Sequence, residues 1–344
     1  NIFVSFPGDD VVRAKAFSSA LGLTMNEAIS VGGTEDLVGG SGTPSPVTLS
    51  WALDSREEVD ALLDRAEKAG APVVLIIPGS GPTDRDGNSP LGITSASYRL
   101  LAEALAQKGI SAARIDKRGM FGSKGAVADA NKVTIAAYAA DVGAWARSLT
   151  DRTGQRCIWV AGHSEGGLVA IAAEADPHVC GLILISAMGR PFDVVLREQL
   201  AANPANAPIL PDADGALDRL AKGEHVDVSA MHPALARGLF NPAVQDYLID
   251  LIGHDPAAML AATTKPVLIV AGTADLQIPL ADAEKLKAAR ADATLSVIKG
   301  MTHVLKQASA RDRAANMATY TDPSLAIDRS LVADIVRFVR ANSH

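Results

Sequence analysis

A serine framed by glycines, in Cys157-Ile158-Trp159-Val160-Ala161-Gly162-His163-Ser164-Glu165-Gly166-Gly167, is the first stretch of this chain able to do chemistry. The apolar, β-branched run before it reads as a strand, and the Ala/Leu/Ile-rich run after it as a helix. A serine on such a sharp turn is strained, with its hydroxyl pushed clear of the sheet, and the flanking Gly162 and Gly166 bring no Cβ to collide with strand or helix. A serine hydroxyl attacks a carbonyl only when a base removes its proton. The base and the acid that orients it must therefore come from elsewhere in the chain. Asp275 follows a strand-like run in Gly272-Thr273-Ala274-Asp275-Leu276-Gln277-Ile278-Pro279, and His303 follows another in Gly300-Met301-Thr302-His303-Val304-Leu305. The order serine, acid, histidine suits nucleophilic acyl transfer: Asp275 accepts from one imidazole nitrogen while the other serves Ser164.

Other assignments stay open at this stage. Asp282 is an alternative acid, Asp275 an alternative turn residue, and His303 an alternative surface histidine. His163 lies in the turn itself and is expected to pack or hydrogen-bond locally. His225, His232 and His254 fall in an irregular region, and His178 and His344 have no motif around them.

Acyl transfer also needs two N–H donors for the oxyanion. One is the backbone amide of Glu165, at the positive start of the helix. The second is expected in Pro78-Gly79-Ser80-Gly81-Pro82-Thr83-Asp84-Arg85-Asp86-Gly87-Asn88, with the Ser80 amide the first choice and that of Gly81 the second. Asp84, Arg85 and Asp86 read as a structural charge cluster, with Arg118 of Asp116-Lys117-Arg118-Gly119 as the expected partner for one of the carboxylates.

The elements that must position these groups alternate from residue 71 onward. Strands are expected at 72–77, 111–115, 157–161, 181–186, 266–271 and 294–298, and helices at 95–108, 134–150, 165–175, 280–290 and 328–341. Alternating strands and helices make a mostly parallel sheet covered on both faces, which near-continuous apolar strands require. Between 190 and 262 the pattern breaks into Pro- and Asn-punctuated pieces, including a helix-like 242–252, and reads as a mainly helical cap lying over the strand ends that display Ser164. Before residue 71, Ile2 to Phe6 and Val47 to Leu53 read as strands, Val11 to Leu21 and Arg56 to Ala69 as helices, and the Gly-, Ser- and Pro-rich stretch from Gly32 to Pro46 as loop.

Composition narrows the function classes. With 48% hydrophobic and 21% charged residues and a net charge of −7, the chain can bury a large core and has no basic face for nucleic acid. No apolar run reaches the roughly 18 residues of a membrane span. The chain begins at Asn1, so a removed signal peptide stays open. The two cysteines, Cys157 and Cys180, open successive strands. If those strands are parallel neighbours, the α-carbons lie about 5 to 6 Å apart, within disulfide reach. A bridge would favour an oxidising compartment, periplasmic or secreted, over the cytoplasm; two buried thiols are the alternative.

Together, the serine turn, the Gly-rich loop, the acid loop and the histidine loop, in that order, resemble the α/β-hydrolase superfamily over residues 71–344. Pro78 to Asn88 together with Gly162 to Gly167 is similar to the bacterial EstD-like, serine-aminopeptidase-like carboxylesterases. The resemblance implies hydrolysis of small carboxylic esters through an acyl-enzyme, with no metal and no organic cofactor. It divides the chain into a catalytic core at 71–189 and 263–344, a cap at 190–262 and an N-terminal segment at 1–70. Asp9 to Phe17 with Leu21-Gly22-Leu23, and Asp54 to Asp60, resemble pieces of the βα segments of vicinal-oxygen-chelate proteins, but Ile2 and Phe3 stand where a metal ligand is often found. That segment reads as a structural βα appendage, with a homodimer contact among its open uses. Peptide, amide or thioester cleavage by the same machinery, and a non-catalytic binding protein, are the competing functions.

Overall fold

The computed structural model describes residues 70–309 and 312–343 in full and, before them, the backbone of three strands, β1 (Ile2–Phe6), β2 (Ile29–Val31) and β3 (Leu49–Leu53). Six further strands follow: β4 (Val73–Ile77), β5 (Ser111–Arg114), β6 (Ile158–His163), β7 (Val179–Ile185), β8 (Val267–Gly272) and β9 (Thr294–Ile298). They form one sheet in the order β2-β3-β1-β5-β4-β6-β7-β8-β9. From β5 to β9 every pairing is parallel, whereas β1 runs antiparallel to both β5 and β3, with Phe3 opposite Arg114 and Ile2 opposite Leu53. The strands of the N-terminal segment thus extend the same sheet. The helices expected at Val11 to Leu21 and Arg56 to Ala69, and the loop from Gly32 to Pro46, lie outside the described residues.

Every residue of β4 is buried, and side-chain alternation divides them between two cores. Val73, Leu75 and Ile77 join the helices α2 (Ile135–Thr153) and α3 (Glu165–Ala172) on one face. Val74 and Ile76 join α1 (Ser97–Ala106) and the C-terminal helix (Arg329–Asn342) on the other. Each fully buried Val, Leu or Ile side chain contributes roughly 1.5–3 kcal/mol, so the strands that carry the site are held from both sides. This mostly parallel sheet, covered by helices on both faces, is an α/β-hydrolase fold.

The local signals explain the helix ends. Thr134 caps α2 by accepting from the Ala137 amide, and Gly154, with φ of 65°, ends it. Asp328 caps the C-terminal helix through the Ser330 and Leu331 amides.

Residues 190–262 are helical among the described residues: α4 (Phe192–Ala201), α5 (Leu210–Leu220), α6 (Gln245–Ile252) and α7 (Pro256–Ala261), with short 3₁₀ and π turns. They enclose a core of their own, built on Leu196, Ala213, Leu217, Leu220, Phe240 and Leu248. Gln245, almost fully buried, staples it by donating to the Val226 and Phe240 carbonyls and accepting from the Val226 amide. None of the described helices is long and apolar enough to cross a membrane.

Cys157 and Cys180 are joined by a disulfide with α-carbons 5.1 Å apart. They bracket the start of the β6–β7 pair, where the register shifts between Ile158 and Trp159.

Candidate active site

Ser164 ends β6 and starts α3 in a conformation that side chains rarely adopt, with φ 55° and ψ −122°. Close packing enforces it. A Cβ on Gly162 would lie 2.1 Å from the Gly166 carbonyl oxygen, one on Gly166 2.5 Å from that of Ile77, and one on Gly167 2.4 Å from the Ala187 Cβ. The glycines therefore let helix, strand and turn approach backbone to backbone. The Ser164 side chain makes no capping bond to α3, and the Gly167 amide turns back on the Ser164 carbonyl at 2.9 Å, so it is the amides before Gly167 that face another acceptor.

His303 and Asp275 meet as a pair. His303 Nδ1 lies 2.9 Å from Asp275 Oδ2 and 3.1 Å from Oδ1, and both side chains are nearly sealed from solvent. Asp275 also accepts from the amides of Gln277 at 2.8 Å and Ile278 at 2.9 Å. Burial alone would raise its pKa, but the His303 charge and these hydrogen bonds outweigh burial and hold the carboxyl below its ordinary range. With Nδ1 committed to Asp275, the neutral ring has Nε2 left as its basic nitrogen.

Asp282 is occupied elsewhere. Fully buried, it accepts from the Gly189 and Arg190 amides at 2.9 and 3.1 Å and pairs with the Arg190 guanidinium at 2.7 Å. It fastens the first residues of the cap to α8 (Leu280–Ala289).

The histidine of the turn, expected to bond locally, instead bonds to residues 65 and 140 positions away. His163 Nε2 lies 2.8 Å from the His303 carbonyl oxygen, and Nδ1 lies 2.8 Å from the Tyr98 hydroxyl. A carbonyl only accepts, so Nε2 carries the hydrogen; Nδ1 then accepts from Tyr98, whose oxygen accepts from the Gly79 amide at 3.0 Å. Burial first, and then the nearby His303 charge, push the His163 pKa down to about 3, so the ring stays neutral. One chain of hydrogen bonds thus spans the Gly-rich loop, the serine turn and the histidine loop. Ser97, beside Tyr98, adds a bond from its hydroxyl to the Val304 carbonyl at 2.7 Å. A tyrosine on an ordinary amphipathic helix gives no sequence signal for this role.

In the Gly-rich loop, the Gly79 amide is consumed by Tyr98, so the next free-standing candidate is that of Ser80. Gly81 turns the loop with φ of 66°. Arg85 pairs with Asp116 at 2.7 Å, and Asp86 with Arg114. Arg118, expected to meet a carboxylate of this loop, instead binds Asp141 on α2, the loop's Asp86 being held by Arg114 and Asp84 by the Asp86 and Asn88 amides.

Ser164, His303, His163, Gly79, Ser80 and Gly81 border one cavity of about 250 Å³. Its other walls come from Leu91, Ile93, Tyr98, Val304, Gln277 and Tyr320, with smaller residues between them. None of these described lining residues belongs to 190–262. The cap touches the acid loop instead, where Gln199 donates to the Gln277 carbonyl at 2.8 Å. Among the described residues, no Asp, Glu, Lys or Arg lines the cavity.

The other described histidines sit apart from this centre: His178 pairs with Asp176, His225 with Asp246, His254 lies 3.8 Å from Asp250, and His232 accepts from the Ala234 amide. His344 lies outside the described residues. Among the described residues, no three His, Cys, Asp or Glu side chains are gathered as a metal site.

Comparisons with known proteins find a matching family model and several similar chains. Residues 91–307 match the family model described as serine aminopeptidase, S33. The chain is 25% identical to Esterase EstD of Thermotoga maritima over 238 residues, 68% of this chain and 54% of that protein, so it spans about half the length of this curated relative. Similar solved structures include a thermophilic esterase from Thermogutta terrifontis, 20% identical with a TM-score of 0.49 over 80% of this chain and 91% of that one. Another is the meta-cleavage product hydrolase CumD from Pseudomonas fluorescens IP01, 21% identical with a TM-score of 0.47 over 79% and 91%.

Proposed function

The chain belongs to the serine aminopeptidase, S33 family of α/β hydrolases, and we propose that it cleaves small, uncharged carboxylic esters through an acyl-enzyme on Ser164. The observation that carries this reading is the His303–Asp275 pair, nearly sealed from solvent, on a cavity whose wall also holds Ser164.

In the first half of the reaction His303 Nε2 takes the Ser164 proton as Oγ attacks the ester carbonyl, and Asp275 stabilises the imidazolium. The amides of Ser80 and Glu165 hold the oxyanion, and collapse expels the alcohol, which receives the proton from His303. Water repeats the sequence in the second half and releases the acid. A fixed amide is suited to this work because it needs no reorientation as charge develops.

The family description favours a second reading, removal of residues from peptide amino termini. An α-ammonium group calls for a carboxylate beside the bound substrate, and among the described residues the cavity wall has neither Asp nor Glu. That supports ester over aminopeptide; amides and thioesters of uncharged acids fit the same wall.

Hydrolysis of p-nitrophenyl esters from acetate to decanoate, beside aminoacyl p-nitroanilides, tests both readings. The expected result is ester turnover that peaks at short chains, falls by about three or more orders of magnitude in Ser164→Ala, and far exceeds anilide turnover. Dominant anilide cleavage would transfer the assignment to the second reading, and full ester activity in Ser164→Ala would end both.

A further inference from the structure

Lys117 lies deep behind the cavity, at the end of β5, and its ammonium meets two groups. Its Nζ donates to the Gly79 carbonyl at 2.7 Å and lies 3.5 Å from Glu165 Oε1. Side-chain exposure is 3% for Lys117 and 2% for Glu165. The face of Tyr138 covers the ammonium, with the ring centroid 5.4 Å from Nζ.

A buried ion pair is a poor device for stability, since apolar side chains of similar volume commonly serve as well. Its placement points to another use. The Gly79 carbonyl and the Ser80 N–H are the two ends of one peptide unit. Glu165, the counter-ion, is the residue whose own backbone N–H is the other proposed oxyanion donor. The ion pair therefore joins the two halves of the oxyanion hole, one on the loop after β4 and the other at the start of α3.

We propose that Lys117, held by the Glu165 carboxylate, is the positioning residue of the oxyanion hole: its ammonium fixes and polarises the Gly79–Ser80 peptide so that the Ser80 N–H faces the developing oxyanion. This deepens the serine-hydrolase reading above and rests on it. A cation on the carbonyl oxygen draws electron density from the amide nitrogen, and a hydrogen bond at one end of a peptide strengthens donation at the other. With the Gly79 amide tied to Tyr98 at 3.0 Å and its carbonyl tied to Lys117, the peptide has little freedom to rotate. Sequence position offered a partial signal: Lys117 follows the strand adjacent to β4, at the carboxyl end where the site is built. Its neighbours Asp116 and Arg118 read equally well as candidates.

The test compares wild type, Lys117→Gln, Lys117→Met and Lys117→Met/Glu165→Gln, with p-nitrophenyl acetate as substrate and phenylboronic acid as an inhibitor forming a tetrahedral adduct on Ser164. The double variant removes both charges, so no unpaired carboxylate is left to unfold the site. In the folded double variant, kcat is expected to fall about 10- to 100-fold, KM to stay within about twofold, and the boronate inhibition constant to rise by the same factor as kcat falls. Lys117→Gln, which keeps a neutral donor, should fall between. A folded double variant with kcat and boronate affinity within about twofold of wild type would overturn the proposal, as would a loss confined to KM. Ser164→Ala separates the failures: an active Ser164→Ala sinks the serine-hydrolase reading, whereas an inactive one beside an unimpaired double variant sinks this inference alone.

Discussion

The core around Ser164 and the cap at 190–262 are both well packed, but different atoms do the packing. In the core, the contacts that shape the site run from backbone to backbone: a Cβ at Gly162 or Gly166 would strike a main-chain oxygen. In the cap, aliphatic and aromatic side chains interdigitate on short helices, and side-chain links such as Arg190–Asp282, Gln199–Gln277 and the Asp250 carboxylate on the Ile135 amide fasten the unit to the core. Side chains can repack around a substitution, whereas main-chain oxygens locked in a sheet cannot. Geometric tolerance is therefore narrow in one region and wide in the other. The cavity wall follows that division, being built from core loops.

Three measurements would sharpen or break this contrast. The largest effect is expected from two aspartates seven positions apart. Asp275→Asn should lower kcat by about 10⁴-fold, because an amide favours the wrong histidine tautomer. Asp282→Asn loosens the seating of the cap and should leave kcat within about tenfold of wild type. Steady-state kinetics on the two variants decides it, and equal losses would mean that the cap positions the chemistry after all.

Next comes Phe240→Ala in the cap core, where Phe240 is fully buried. Loss of that ring should cost about 3–5 kcal/mol of stability. Urea unfolding would show this, while turnover of the smallest ester should change less than tenfold. A collapse of turnover in the folded variant would contradict the division between regions.

The smallest effect concerns His163. Its pKa is about 3 in the folded protein against about 6.5 for a free histidine, so between those values the unfolded chain binds a proton that the native one does not. A depressed histidine thus removes stability as pH falls through this window, at up to about 1.4 kcal/mol per pH unit. Between about pH 4.5 and 6, Asp275, itself held low, adds only a small slope near the lower end, and adds it to both proteins alike. Over that range, denaturation of His163→Gln should respond less steeply to pH than wild type. Identical slopes would mean that His163 already takes up its proton in the folded state.

Much of this architecture is legible in the sequence because it is written in local patterns. Strand β9 falls at 294–298 as the apolar pattern indicates, and the other core strands fall within about two residues of their expected bounds. Ser164 is visible through its glycines, since a turn that tight excludes other residues. Asp275 and His303 are visible through their positions after successive strands. Tyr98 carries no local signal, and Lys117 only its place after a strand at the site's end of the sheet, which Asp116 and Arg118 share; each meets its partner across 65 and 38 positions of chain, respectively.

The sequence by itself determined which residues carry reactive groups and in which strand-to-helix turns they stand, for periodicity and glycine placement are properties of neighbours along the chain. Only the tertiary structure decided which aspartate meets His303 and which fastens the cap, which amides are consumed and which left free, and what walls the cavity. Those outcomes depend on distances between segments far apart in sequence, and they are set by sheet order and by where each buried polar group finds its partner.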